Sequence, residues 1–223
     1  MKIKISVYGV VAALLIFQLV RVTNDSGMFR EIDPIELQQC QALKGPVGAE
    51  DITIDSFNQF AYIGADDRRL YLHDGKPNPE NGAIWGLDLS QADSKPFKLK
   101  TNMTGVFHPH GIALRKGENG EALELYVVNH LNTTQHEIDI FDISEKGVLT
   151  LRRRVSFPEL ISPNDLAIVG KDQFYVTNDH GFTHHTIMQK IEDYLGLSMS
   201  SVSYFDGENG HFVIDGLSIA NGI

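Results

Sequence analysis

Short runs of hydrophobic residues recur along the chain, and the polar positions that precede them recur at a regular interval. Four segments each contain two polar or small residues followed directly by Ile or Leu: AEDITID from Ala49, HPHGIAL from His108, SPNDLAIV from Ser162 and IANGI from Ile219. Their leading polar positions, 50, 110, 164 and 221, are 60, 54 and 57 residues apart. This interval predicts a structural unit that is repeated along the chain.

Each repeat contains further segments typical of β-strands, which carry Tyr, Val and Ile and end in polar turn residues. Second strands are predicted over 58–67, 123–130 and 172–181, third strands over 82–90, 137–144 and 201–207, and fourth strands over 95–100, 149–157 and 210–216. Four strands per repeat predict an all-β fold of the β-propeller type. A β-sandwich also has many short strands, but it need not repeat a polar pair in each first strand.

One segment departs from the β pattern. HTIMQKIEDYLGL, residues 185–197, has Ile187, Ile191, Tyr194 and Leu195 at helical spacing. The spacing predicts an amphipathic helix between the second and third strands of the third repeat. Such a helix either packs on the loops of one face or acts as a lid.

The N-terminus has the pattern of a targeting segment. Lys2 and Lys4 precede an apolar run over 5–20, as in the charged and hydrophobic regions of a signal sequence. Bulky residues follow where a cleavage site would need small ones, which favours an uncleaved signal-anchor over residues 1–22. The run is shorter than the ~20 residues that span a bilayer comfortably, and a buried core helix is the alternative. The lysines place the rest of the chain in the periplasm or extracellular space.

Charge and cysteine content limit the partners of the chain. The formal net charge is −10, from 29 acidic and 19 basic residues. This disfavours nucleic acid and an anionic membrane surface as partners and suits a protein that binds cations. Cys40 is the single cysteine, so these 223 residues form no internal disulfide.

The polar pairs predict two ion sites. In a propeller the first strand of each blade lines the central channel. The residues expected at one mouth of this channel are Glu50, His110, Asn164 and Asn221. Because successive residues of a strand point to opposite faces, their neighbours are expected deeper in the channel. These neighbours are Asp51, Asp165 and the backbone of Ile112.

The oxygen-rich donor set of these sites favours calcium. HPH and THH are only weak zinc signals, because zinc requires several nitrogen or sulfur ligands that converge. The structural alternative is that Asn and Asp at strand starts only form turns and caps.

Several motifs together resemble one family. HPHGI, LYVVNH, SPNDLAIVGKDQFYVTNDHGF, DYLGL and ANGI, with GAEDI near the start, are similar in order and spacing to the paraoxonases, which are calcium-dependent arylesterases and lactonases. The similarity runs from about Leu37 to the end. It implies a six-bladed propeller with two calcium ions, of which this chain holds about three blades and a fraction. The expected organisation is an anchor over 1–22, a linker over 23–36 and a partial propeller over 37–223.

The resemblance also implies roles for individual residues. Glu50, Asn164 and Asn221 look like ligands of a catalytic calcium, whereas Asp51, Asp165 and the carbonyl of Ile112 look like ligands of a structural calcium. His110 resembles the family's general base, and His130 resembles the histidine that supports it. Asp179 falls in the matched TNDHGF segment and is given a supporting role.

The implied function is calcium-dependent hydrolysis of small carboxylic esters and lactones, and the absence of a G-x-S-x-G motif disfavours a serine nucleophile. The family supplies two more ligands, an Asp-Asn pair, and a late Cys that pairs with Cys40, all from beyond the position of Ile223. We therefore expect a truncated form with impaired activity. The alternatives are a non-catalytic, calcium-stabilised propeller that serves as a scaffold or binds a partner, and a sugar-lactone hydrolase of the gluconolactonase-like propellers.

Overall fold

The computed structural model describes residues 7–33, 42–68 and 81–223, so Lys2, Lys4 and Cys40 lie outside the described residues. Two helices are described: α1 (Val7–Asp25) and α2 (Ile187–Leu195). The strands are β1 (Ala49–Asp55), β2 (Phe60–Ala65), β3 (Ala83–Asp88), β4 (Phe97–Lys98), β5 (Lys100–Thr101), β6 (Pro109–Lys116), β7 (Ala122–His130), β8 (His136–Glu145), β9 (Val148–Val155), β10 (Pro163–Gly170), β11 (Gln173–Asn178), β12 (Ser200–Phe205) and β13 (Gly210–Leu217).

The strands form three sheets that follow the predicted repeats. Their orders are β1-β2-β3-β4, β5-β9-β8-β7-β6 and β10-β11-β12-β13. Consecutive strands within each repeat pair antiparallel, and the parallel pairing of β5 with β9 joins the end of the first repeat to the second. The mainly β fold and the four-strand repeat unit are confirmed. The propeller remains a prediction.

The fourth repeat start is described without a strand, contrary to the prediction for IANGI. A strand needs backbone hydrogen bonds to a neighbouring strand. Here the N–H groups donate to side chains instead, from Gly222 to Asn164 Oδ1 at 3.4 Å and from Ile223 to Asp165 Oδ2 at 3.2 Å. The segment therefore caps the start of β10.

The middle sheet is buried on both faces because strand β7 alternates between two hydrophobic clusters. Leu125 and Val127 pack with side chains of the first sheet, including Tyr62. Tyr126 and Val128 pack with side chains of the third sheet, including Phe174. Successive strand residues point to opposite faces, so the apolar run in LYVVNH supplies both clusters.

The first strands of the three sheets, β1, β6 and β10, lie beside one another, with β6 in contact with both of the others. Each has a register shift at its polar pair, between positions 49 and 51, 109 and 112, and 163 and 166. In each case the first strand contains one residue more than its partner over that interval, which is a β-bulge. A bulge re-aims the side chains beside it, so strict alternation fails at the polar pairs.

Helix α2 confirms the amphipathic helix predicted over 185–197. Thr186 caps its N-terminus by accepting from the Gln189 N–H, and Gly196 ends it in the left-handed conformation at φ 60°. The buried side chain of the helix is Glu192, whose carboxylate accepts the N–H of Gly181 at 3.0 and 3.1 Å. The apolar residues Ile187 and Tyr194 are 77% and 66% exposed, so the helix is held by a polar contact.

Helix α1 covers the described part of the predicted anchor, residues 7–22, and ends at Asp25, three residues beyond the expected boundary. It is long and apolar enough to cross a membrane by length and composition, and none of its residues is buried in the fold. The membrane anchor and the linker over 23–36 stay predictions.

Candidate active site

The polar starts of the first strands surround one cavity of ≈ 160 Å³, which we call the ion cavity. The residues that line it are Glu50, Asp51, Gly111, Asn164, Asp165, Asn221 and Gly222. Five of the six predicted metal-binding positions are therefore brought together. The sixth, Ile112, has its side chain in the core, and its backbone N–H donates to Asp51 Oδ2 at 2.6 Å.

Residues of both predicted ligand sets line this one cavity. Asn164 and Asp165 line the same cavity, because the bulge at the start of β10 interrupts the alternation on which the two-cluster prediction depended. The division of these ligands between two ions stays a prediction.

The chemistry of the ion cavity fits a hard divalent cation. Burial raises the pKa of Asp165, and the nearby carboxylates of Asp51 and Glu50 add to this by repulsion. The donors are carboxylate and amide oxygens, which is the ligand type that calcium prefers. The wall of the ion cavity is tightly packed at Gly111, where a Cβ would lie 2.4 Å from the Asn164 carbonyl oxygen and 2.7 Å from Asp165 Oδ1.

Three histidines form a hydrogen-bonded chain that ends at the ion cavity, which we call the histidine chain. His110 Nδ1 lies 2.9 Å from His130 Nε2, and His130 Nδ1 lies 2.8 Å from His136 Nδ1. On its other side His110 Nε2 lies 3.3 Å from Glu50 Oε1 and 3.4 Å from Asn164 Nδ2. The structure thus brings together the two predicted catalytic histidines and joins them to two predicted metal ligands.

His136 is a member of the chain that sequence reasoning missed. It is the residue paired directly opposite His130 across the β7–β8 hairpin. Directly opposed residues on one sheet face lie close enough for contact. The pairing of LYVVNH with HEIDIF was therefore the signal that would have found it.

Burial keeps the inner part of the histidine chain neutral near pH 7. It lowers the pKa of His130 well below the usual value, and positive charge on His110 or His136 would lower it further. Burial also lowers the pKa of His136 to about 4. A neutral imidazole has one donor and one acceptor nitrogen, so neutral His130 is able to accept a hydrogen bond from the Nδ1–H of His110.

The low pKa of His136 predicts a loss of stability in acid. The unfolded residue binds a proton near pH 6.5 and the folded one near pH 4, so this part of the stability is present above pH 6.5 and lost as the pH falls toward 4. The difference amounts to about 3 kcal/mol at 1.36 kcal/mol per pKa unit. Urea unfolding of the protein and of His136→Gln between pH 7 and 4 measures it.

The expected result is that the free energy of unfolding falls more steeply with acid in the unsubstituted protein than in His136→Gln. His211→Gln, a change at an exposed histidine of β13, is the matched control and should follow the unsubstituted protein. Parallel curves for all three proteins would show that His136 is not held neutral by the fold.

A second cavity of ≈ 160 Å³, the histidine-lined cavity, adjoins His110. Its lining residues are Asp66, Arg68, His108, His110, His130, Asn132, Thr133, His136, Asp179, His184 and His185. His110 therefore faces the ion cavity through Glu50 and Asn164 and also lines a space that is accessible to a small molecule. Asp179, predicted to have a supporting role, lines this second cavity and makes no described hydrogen bond to His110.

Comparison with known proteins gives consistent matches. The arylesterase family model matches residues 31–223. Human serum paraoxonase/arylesterase 1 is 36% identical over 204 residues, which cover 87% of this chain and 55% of that protein. Chicken (Gallus gallus) serum paraoxonase/arylesterase 2 is 33% identical over 220 residues, covering 96% and 61%, and human serum paraoxonase/arylesterase 2 is 31% identical over 228 residues, covering 99% and 62%. The chain thus spans 55% to 62% of the length of these relatives.

Proposed function

Because the chain belongs to the arylesterase family, we propose that it hydrolyses small carboxylic esters and lactones and that calcium in the ion cavity is required. The observation that carries the proposal is the position of His110. One of its ring nitrogens contacts both Glu50 and Asn164 of the ion cavity, and the other contacts His130. A proton acceptor is thereby held beside a cation-binding cavity.

Two calcium ions are proposed, with ligands divided as the family resemblance implies. Glu50, Asn164 and Asn221 would hold the catalytic ion, and Asp51, Asp165 and the Ile112 carbonyl would hold the structural one. When bound, calcium supplies a Lewis acid that polarises a carbonyl and stabilises the oxyanion. The donor types and their convergence on one cavity support this proposal.

The protein's own part in the reaction is proton transfer at His110. With Nε2 unprotonated, His110 takes a proton from water at that atom, while its Nδ1–H donates to neutral His130. The imidazolium that results lies beside Glu50, 3.3 Å from Oε1, and the carboxylate stabilises the new positive charge. Once Nε2 carries the proton it can donate a hydrogen bond to Glu50, and this hydrogen bond is the main cause that lowers the pKa of Glu50.

The function is tested by hydrolysis of phenyl acetate and δ-valerolactone. We expect turnover in calcium-containing buffer, at the reduced rate that the predicted impairment implies, loss of turnover with excess EGTA, and recovery when calcium is added back. EGTA already saturated with calcium is the control for effects of the chelator itself. Activity that survives EGTA would contradict the calcium requirement. Calcium-dependent stabilisation without any hydrolysis would favour the non-catalytic scaffold instead.

We also propose that α1 anchors the protein in a membrane with the β fold on the periplasmic or extracellular side. The support is its length, its apolar composition and the lack of any buried residue within it. Residues 2 and 4, whose charges indicate the orientation, lie outside the described part of the chain.

A further inference from the structure

A cluster of two histidines and one carboxylate lies where β11 leads into α2. Asp179, His180 and His184 each offer one ligand atom, and these atoms lie within 4.8 Å of one another. Asp179 Oδ1 is 2.9 Å from His180 Nδ1 and 3.7 Å from His184 Nε2. His184 belongs to the THH motif, which the proposed hydrolysis does not use.

Neighbouring side chains hold these groups in the orientation that a metal site requires. His180 Nε2 lies 2.9 Å from Asp193 Oδ1 of α2, so its Nε2–H has an acceptor while Nδ1 faces the cluster. A metal-binding histidine usually donates its second N–H to a carboxylate in this way. The Ser162 hydroxyl contacts both Asp179 Oδ1 and His184 Nε2 and so links the remaining two groups.

The adjoining histidine-lined cavity contains an unpartnered polar atom. His136 is 4% exposed, and its Nε2 has no hydrogen-bond partner among the described residues. His136, Asp179 and His184 line this same cavity. A buried polar atom without a partner is costly unless water or an ion satisfies it, which points to a bound species in this space.

We propose that Asp179, His180 and His184 bind a zinc-class transition metal ion in the wall of the histidine-lined cavity, at a site separate from the ion cavity. Two imidazole nitrogens and one carboxylate are a zinc-type donor set, whereas calcium takes oxygen ligands. Three protein ligands would leave a fourth position for water or a small anion. The bound ion would also hold α2 near the end of β11, because its ligand His180 contacts Asp193 of α2.

A different arrangement would explain part of this geometry without a metal. The hydrogen bond that His180 donates to Asp179, supported by Asp193, raises the pKa of His180 to about 9, so a protonated His180 is held between two carboxylates. This ion pair does not require His184. Variants at His184 therefore separate the two arrangements.

The test is isothermal titration of the full chain in detergent with zinc chloride, in excess calcium so that the ion cavity is filled. We expect one zinc per chain, and cobalt should give the strong visible absorption of a tetrahedral site. His184→Ala should weaken zinc binding on the order of 100-fold, and Asp193→Asn about 10–100-fold, as for loss of a carboxylate that orients a histidine ligand.

His211→Ala, at an exposed histidine outside the cluster, should bind zinc like the unsubstituted protein. His110→Gln should do so as well, because the histidine chain is not the proposed site. Calcium-dependent thermal stabilisation shows that each variant is folded. No zinc binding by the unsubstituted protein, equal affinity in His184→Ala, or loss of binding in His110→Gln would each overturn the proposal.

Discussion

Replacing His110 by glutamine is expected to reduce the kcat/KM of calcium-dependent hydrolysis by about 10²–10⁴-fold, the usual effect of removing a general base. Glutamine is similar in length and polar, so contacts with Glu50 and Asn164 have a replacement, but its amide does not take a proton near pH 7. Initial rates with phenyl acetate and with a lactone, measured from pH 5 to 9, give both the loss and any change in the pH profile.

Two controls make this result specific to proton transfer. His211→Gln changes an exposed histidine of β13 and should leave kcat/KM unchanged. Calcium-dependent thermal stabilisation should be the same in His110→Gln as in the unsubstituted protein, since the ion cavity keeps its carboxylates. An unchanged kcat/KM in His110→Gln, with the same dependence on pH, would remove His110 from the mechanism.

The β elements were predictable because their signal is local. Each predicted second, third and fourth strand overlaps an observed one, such as β11 over Gln173–Asn178 within the predicted 172–181. Alternation and β-branched residues decide strand identity over a few positions. The strand prediction for the fourth repeat start, IANGI, was wrong for a non-local reason. Strand structure depends on a partner strand, and Gly222 and Ile223 donate to side chains of β10 instead.

The membership of the candidate site was largely predictable, but its internal geometry was not. Glu50, Asn164 and Asp165 were identified from their repeat positions, and they do line one cavity. Their directions depend on bulges at the starts of β1 and β10, which are set by pairing with the second strands. A bulge adds one residue to one strand only. It therefore cannot be predicted from the spacing of polar residues within a single strand.

Contacts between distant segments account for the residues that were missed. His136 was detectable only after β7 had been paired with β8. His184 lies in a loop without periodicity, and its meeting with Asp179 depends on where α2 is held. The sequence analysis therefore treated THH as only a weak zinc signal, because the motif does not indicate the partners of His184.

Replacing Asp165 by asparagine is expected to change stability in opposite directions with and without calcium. Three carboxylates face the ion cavity, and burial together with repulsion from Asp51 and Glu50 disfavours the ionised form of Asp165. In EGTA the neutral amide relieves this repulsion, so Asp165→Asn should melt at a higher temperature than the unsubstituted protein. The hydrogen bond from the Ile223 N–H is lost, but Ile223 is 53% exposed and water replaces it at little cost.

In calcium the order should reverse, because the variant has lost a charged ligand of the proposed structural ion. Calcium at 100 times its dissociation constant stabilises the unsubstituted protein by about 2.7 kcal/mol, and a variant that binds 100-fold more weakly gains only about 0.4 kcal/mol at the same concentration. Thermal melting in EGTA and across a calcium titration gives both quantities. Asp93→Asn, at an exposed carboxylate between β3 and β4, is the matched control and should respond to calcium like the unsubstituted protein. Equal stabilisation of Asp165→Asn and the unsubstituted protein by calcium would mean that Asp165 is not a ligand and that its repulsion is relieved in some other way.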